Sequence, residues 1–272
     1  MLRVRYAMRR SPHHGQQDCM LIGNKIRQEA NQPPRSVGMS ASNTIFAVAD
    51  GVSSSPHASL ASAYALEALR KIQQQRDADG VTDLVDGRVI RKIHAELCRR
   101  MADHPATRGS ATTIAIAHII DNRLRVLNVG DSRVWLRRAR SVAIGDTWLC
   151  MRRAGGEVSM LSKDHTVLQG LIDRGEASAD VEYASFYQAL EHALVADHDA
   201  DDFAIHSSTV DIDVGDEIIL CTDGVANALT HGDMEAALHD CKVTDNLGSL
   251  CNAITTHGLV DDYSIIWIEV TR

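Results

Sequence analysis

Four aspartates stand where an apolar run stops beside a glycine or another turn-forming residue. The stretches are VADG at 48–51, NVGDSR at 128–133, CTDGV at 221–225 and GLVDDYS at 258–264. Taken singly, an aspartate in such a place caps a turn. Four on strands of one sheet would face one another, and gathered carboxylates raise each other's pKa unless a cation neutralises them. Oxygen-only donor sets of this kind suit hard ions such as Mg²⁺ or Mn²⁺. The glycine after Asp50 allows a close backbone approach, so the Gly51 carbonyl can join the shell. There is no GxxxxGK[ST] loop, no GxSxG elbow and no HExxH pair. The thirteen histidines are scattered, and His13/His14 and His192/His198 have only weak ligand spacing. With no side-chain nucleophile marked, a water activated by the metal is the expected attacking group.

The elements that must hold these aspartates can be read from periodicity. The segment SNTIFAVAD is a strand ending at Asp50, and residues 19–49 read as strand, polar loop through NQPP, and strand. Leu60, Ala63, Leu66, Leu69 and Ile72 recur at helical spacing over 57–75, and LVDGRVIRKIHAELCRRM predicts a second helix in which Gly87 is a mild weakness. Then the period changes. ATTIAIAHI and LRVLNV form a hairpin through Asp121 and Asn122, followed by RVWL, TWLCM and VSML, the last two joined by an AGGE turn. VLQGLIDRGE is a short helix stopped by Gly175, and EIILCT, a helix over about 244–257 and a strand YSIIWIEV complete the chain. Short strands mixed with paired helices predict an α+β or layered fold without internal repeats, in one domain over 1–272.

Composition excludes several partners. A hydrophobic content of 44% and a charged content of 24% are ordinary for a globular chain of 272 residues. A formal charge of −8 argues against nucleic acid, and no apolar run approaches the length of a membrane span. The basic stretches RYAMRR and RRAR (137–140) read as solvated faces. Six cysteines without CxxC spacing read as buried thiols of a reducing compartment, and MLRVRYAMRR lacks a signal core, so a cytoplasmic location is expected. The sequence sets no oligomeric state.

The order of these motifs resembles the metal-dependent serine/threonine protein phosphatases of type 2C, in their compact bacterial form. The resemblance rests on QQD ending at Asp18, Asp50-Gly51 before a long helix, GSATT at 109–113, VGDSR at 129–133, LSKDH at 161–165, GDEIILCTDG at 215–224 and VDDYSII at 260–266. It implies a four-layer α-β-β-α sandwich, with two packed antiparallel sheets flanked by helices and two Mn²⁺ or Mg²⁺ ions at one end. It further implies that Asp50 bridges the ions, that the Gly51 carbonyl binds one, that Asp223 and Asp261 complete the second shell, and that Asp18 serves the first. Asp131 with Asp223 would hold a third ion. Catalysis would rest on Asp50, Asp223 and Asp18. The implied substrate is a phosphorylated protein, a Ser/Thr kinase or its targets.

Three departures accompany the resemblance. The family's phosphate-holding arginine falls at His13, leaving Arg10 or His13 as the substitutes. Val52 follows the DG, so the histidine that some relatives offer as a general acid is absent, and water would protonate the leaving group. Asp262 stands where the family has an amide, adding charge beside the metals. Residues 137–158 make an extended hairpin, and 176–204 matches a mobile flap. Two other functions are compatible with the same residues: a catalytically weak phosphoprotein-binding module, and a hydrolase of small phosphate esters.

Overall fold

Strands covered on both faces read as unbroken apolar runs, and this chain has several. The computed structural model describes residues 1–138, 141–144, 147–150, 157–178, 181, 183–229 and 246–272. Its first strands are β1 (Leu2–Arg9), β2 (Asp18–Ile22), β3 (Lys25–Arg27), β4 (Asn31–Met39) and β5 (Thr44–Asp50). The middle of the chain supplies β6 (Ala111–Thr112), β7 (Ile114–Ile120), β8 (Arg123–Val129), β9 (Arg133–Arg137), β10 (Ser141–Ile144), β11 (Thr147–Cys150) and β12 (Val158–Met160). The last strands are β13 (Leu194–Val195), β14 (His206–Asp211), β15 (Glu217–Cys221) and β16 (Tyr263–Val270). Helices are α1 (Ala58–Ala78), α2 (Gly87–Met101), α3 (Val167–Asp173), α4 (Asp223–Ala228) and α5 (Asn246–His257).

Two six-stranded antiparallel sheets result, in the orders β12-β9-β15-β16-β1-β4 and β14-β8-β7-β5-β2-β3. The period-two alternation of side chains sorts each strand between two cores. Phe46 and Val48 of β5 point between the sheets and meet Ile218, Leu220, Ile266 and Ile268. Ile45, Ala47 and Ala49 point the other way and pack on α1 and α2 through Leu66, Leu69, Ile90 and Ile93. On the far side, Trp135, Ile219, Trp267 and Ile265 carry Leu247, Leu250 and Ile254 of α5. The four layers expected from the resemblance are therefore present.

The differences from the sequence reading have local causes. β1 is a central strand, and its alternation is disguised by arginines: Arg5 lies over the Trp267 ring and beside Glu217 and Glu269. RYAMRR is thus no simple solvated face. In RRAR, Arg137 is buried against Glu217 and Arg138 reaches Asp216 at 2.9 Å. NQPP opens β4 instead of a loop, which Pro33 and Pro34 permit because β4 lies at a sheet edge. Gly87 opens α2 behind the Asp86 cap, so it costs the helix interior nothing. The extended hairpin is seen as β10 paired with β11. Residues 154–156 of the AGGE turn, residues 244–245 of the last helix, and 179–180 and 182 of the flap segment lie outside the described residues. Cys19, Cys98, Cys221 and Cys251 are free and buried.

Candidate metal centre

Both sheets present strand ends at the same rim. In the second sheet Asp18 opens β2 directly opposite Asp50, which closes β5. Ile114 of β7 faces Val129 of β8, so the turn carrying Asp131 emerges beside them. In the first sheet Cys221 of β15 pairs with Ile265 of β16 and with Arg133 of β9. Asp223 therefore leaves the sheet next to the residues that enter β16, Asp261 and Asp262. Five predicted ligands from strands far apart in sequence meet here.

Hydroxyl groups fix the carboxylates. The Thr222 hydroxyl donates to Asp18 Oδ2 at 2.8 Å while accepting from the Ser264 N–H at 2.9 Å, which ties the two sheets together at the rim. The Asp50 backbone is held on three sides. Its N–H donates to the Thr113 hydroxyl at 3.1 Å, and its carbonyl accepts from Thr112 Oγ1 and from the Thr113 N–H, each at 2.8 Å. Thr113 in turn meets Ser132 of the GDSR turn at 2.8 Å. Arg133 is clamped by Asp164 of LSKDH, Nη2 to Oδ2 at 2.6 Å. Ser132 and Arg133 thus shape the Asp131 turn.

Two glycines are required by close approach. A Cβ on Gly51 would lie 2.3 Å from the Ala58 carbonyl oxygen in the first turn of α1, and one on Gly224 would lie 1.9 Å from the Asp262 carbonyl oxygen. The second contact seats the start of α4 against the segment entering β16. Asp223 is the first residue of α4, following Thr222, whose hydroxyl is spent on Asp18 instead of capping the helix.

Burial and like charge dominate the electrostatics of the rim. Loss of hydration, reinforced by Asp262 and Asp223 and opposed by the Thr222 hydroxyl, holds Asp18 well above the ordinary carboxylate range. Asp50 is raised in the same way by desolvation and by Asp223, Asp18 and Asp131. Asp131 is pushed up to about 8 by desolvation, with Asp223 and Asp164 adding to it. Desolvation raises Asp223 too, against the hydrogen bonds it receives. Asp223 Oδ1 and Oδ1 of the fully buried Asp18 find no hydrogen-bond partner among the described residues. Uncapped carboxylate oxygens at a buried rim fit a hard divalent ion, the group that the oxygen-only donor set suits.

Asp262 has a different job from the one its charge suggested. Its side chain is buried, and its two oxygens accept the backbone N–H groups of Ser11 and Gln17, each at 2.6 Å. It ties down the loop before Asp18 while its charge still acts on Asp18. That loop exposes His13 and turns His14 inward, where Nε2 lies 3.1 Å from Asp261 Oδ1. His14, Asp261 and Asp262 form a group able to ligate an ion. Burial alone would lower the His14 pKa, but the Gly15 carbonyl, Asp262 and Asp261 together raise it. Arg10 is exposed in a separate cavity of about 410 Å³, with Arg9, Pro12, Asn31 and Leu259. The cavity of about 480 Å³ against the carboxylates is lined by Asp131, Asp223, Arg133, Gln188, Asn227 and Val260, among others. Gln188 closes a 3₁₀ turn (Ser185–Gln188) of the flap-like segment. Thr222 and Thr113 were missed from sequence, and His14 was read only as half of a weakly spaced His13/His14 pair. Adjacency to CTDG, GSATT and QQD was the only signal for them.

Comparisons with known proteins agree with this geometry. Residues 27–143 match the family described as protein phosphatase 2C. Serine/threonine protein phosphatase PstP of Mycobacterium tuberculosis is 21% identical over 226 residues, 83% of this chain and 40% of its own. This chain thus spans about two-fifths of that relative. Protein phosphatase PhpP of Streptococcus pneumoniae is 22% identical over 85% of this chain and 88% of its own. The catalytic domain of PstP, solved in complex with two manganese ions, has the same fold, with a TM-score of 0.67 and 20% identity over the whole of both chains. Among the described residues, no helix is long and apolar enough to cross a membrane. Sequence motifs in order, sheet topology and these matches point the same way: over residues 27–143 the chain is similar to protein phosphatase 2C, and it shares the fold of the solved phosphatases.

Proposed function

We propose that this chain hydrolyses phosphoserine and phosphothreonine esters in proteins at a centre of two Mn²⁺ or Mg²⁺ ions. The observation that carries the reading is the rim itself, where carboxylates from both sheets raise one another's pKa and two buried oxygens have no donor. Asp50, Asp18, Asp223, Asp261 and the Gly51 carbonyl are assigned to the two ions, and Asp131 with Asp223 to a third. Bound ions of this kind supply charge that offsets the phosphoryl oxygens and acidity that makes water a nucleophile.

The chain's own residues do the positioning. Thr222 holds Asp18 in one rotamer, and the Thr112–Thr113 pair fixes the backbone of Asp50, so the carboxylates are set before substrate arrives. Gln188 and Asn227 offer amides along the cavity for a peptide backbone, and Val260, Ala189 and Ala226 give it an apolar wall. Val52 follows Gly51, so proton delivery to the leaving serine or threonine oxygen is assigned to solvent. The physiological substrate is assigned to phosphoproteins, a Ser/Thr kinase or its targets.

The test is Mn²⁺-dependent release of phosphate from a phosphothreonine peptide, compared with p-nitrophenyl phosphate and small phosphometabolites. Asp50→Asn and Asp223→Asn should abolish it. A folded protein inert at saturating Mn²⁺ would remove the enzymatic reading, and preference for small esters would move the substrate class. One observation favours a second reading, a weak phosphoprotein-binding module: Arg10 and the carboxylates line separate cavities. Tight binding of the phosphopeptide without turnover would establish that reading.

A further inference from the structure

His14 offers what no predicted ligand does, a nitrogen. Its Nδ1 lies 3.0 Å from the Gly15 carbonyl oxygen, which can only accept, so Nδ1–H is directed there and Nε2 is turned to Asp261 Oδ1 at 3.1 Å. Without an ion a proton on Nε2 serves that contact, and a divalent ion bound by Asp261 can take the proton's place. The spacing is also right for one: two donors bound at right angles to one ion, each about 2.2 Å from it, lie about 3.1 Å apart.

The surroundings support a ligand role over a simple surface contact. His14, Asp261 and Asp262 present ligand atoms that all lie within 4.8 Å of one another. Each Asp262 oxygen accepts one backbone N–H, from Ser11 and from Gln17, so Asp262 anchors the loop carrying His14 and adds negative charge behind the pair. Independently, Oδ1 of the fully buried Asp18 and Oδ1 of Asp223 stand without hydrogen-bond partners among the described residues, and Asp261 acts electrostatically on Asp223. An Nδ1–H held by a backbone carbonyl is the usual way a protein orients an imidazole toward a metal.

We propose that His14 Nε2 is a direct ligand of the divalent ion held by Asp261, making that site a mixed nitrogen–oxygen one that prefers Mn²⁺ to Mg²⁺. This rests on the divalent-centre reading above. An imidazole donor favours ions later in the first transition row over Mg²⁺, which takes oxygen. The loop 11–17 then becomes part of the metal site, and its order depends on the ion.

The test uses the full chain stripped of metal and reloaded with Mn²⁺, read by electron spin-echo envelope modulation. The wild-type spectrum should show ¹⁴N coupling, lost in both His14→Asn and His14→Asp. Calorimetry should show Mn²⁺ binding weakened by about tenfold in His14→Asn, with Mg²⁺ binding changed much less. His14→Asp restores an oxygen donor and should recover Mn²⁺ binding without the coupling, which separates a lost ligand from a damaged fold. Bound Mn²⁺ with no nitrogen coupling, or a coupling that survives both substitutions, overturns the role of His14 and leaves the carboxylate centre intact. Failure of the wild-type chain to bind Mn²⁺ overturns both.

Discussion

Strand β15 carries a carboxylate problem at each end and meets it in two ways. At its start Glu217 is fully buried, yet Arg137 donates to it through Nε at 2.9 Å and through Nη2, with Arg5 alongside. Glu269, its neighbour across the ladder, faces Arg5 and Arg3. Just past its other end, Asp223 meets Asp50, Asp131 and Asp261, and the nearest guanidinium, Arg133, is held by Asp164. One end is neutralised by arginines; at the other, carboxylates act mainly on one another. A buried carboxylate therefore says little by itself, whereas one whose neighbours are further carboxylates points to an absent cation.

The contrast is sharpest under carboxylate-to-amide substitution. Asp50→Asn should lower Mn²⁺-dependent turnover on the order of a thousandfold, or about 4 kcal/mol, in a phosphopeptide assay. A variant retaining a tenth of the activity would break the assignment of that rim. Glu217→Gln, at the balanced end, should cost about 3–5 kcal/mol of folding stability by removing the buried charge that Arg137 lies against. Asp223→Asn should cost the metal-free protein almost nothing, because it removes repulsion. Chemical denaturation of both variants without metal decides it, and equal losses would erase the difference between the two ends.

Smaller effects sharpen it further. Asp262→Ala should destabilise by about 1–3 kcal/mol through the stranded Ser11 and Gln17 N–H groups, measured by denaturation with Mn²⁺ absent. Titration supplies the mildest test. Asp131, Asp18 and Asp50 have folded pKa values above 3.8, so folding takes up protons there. Their contribution is complete below the unfolded carboxylate pKa and is lost as pH rises, for Asp131 through about 8. His118 and His165, held down to about 4, act in the opposite sense below their ordinary value of 6.5, so the window to read lies above it. Between about pH 6.5 and 8 the melting midpoint of the metal-free protein should fall, and saturating Mn²⁺ should flatten that slope. An unchanged slope would show that the rim carboxylates ionise independently.

The legible part of this molecule was the part written locally. Asp50 and Asp223 each follow an apolar run and precede a glycine, and both features are visible within ten residues. What stayed hidden depends on distant partners. Arg5 reads as a surface charge until β15 and β16 bring Glu217 and Glu269 to it. β4 reads as a loop until its place at the sheet edge makes its prolines harmless. His14 pairs poorly with any histidine in sequence, and its partner Asp261 is 247 positions away. Asp262 reads only as excess charge until two N–H groups from the other end of the chain anchor on it.

The bonds from Asp262 to Ser11 and Gln17 and from Thr222 to Asp18 span 251, 245 and 204 positions. Such contacts form late, after most of the loop-closure entropy has been overcome. During synthesis, Asp18 and Asp50 exist long before Asp223 and Asp261 leave the ribosome. The nascent chain thus carries only part of the rim until β15 and β16 are made. On the proposed reading, the rim is complete only once β16 has docked beside β15.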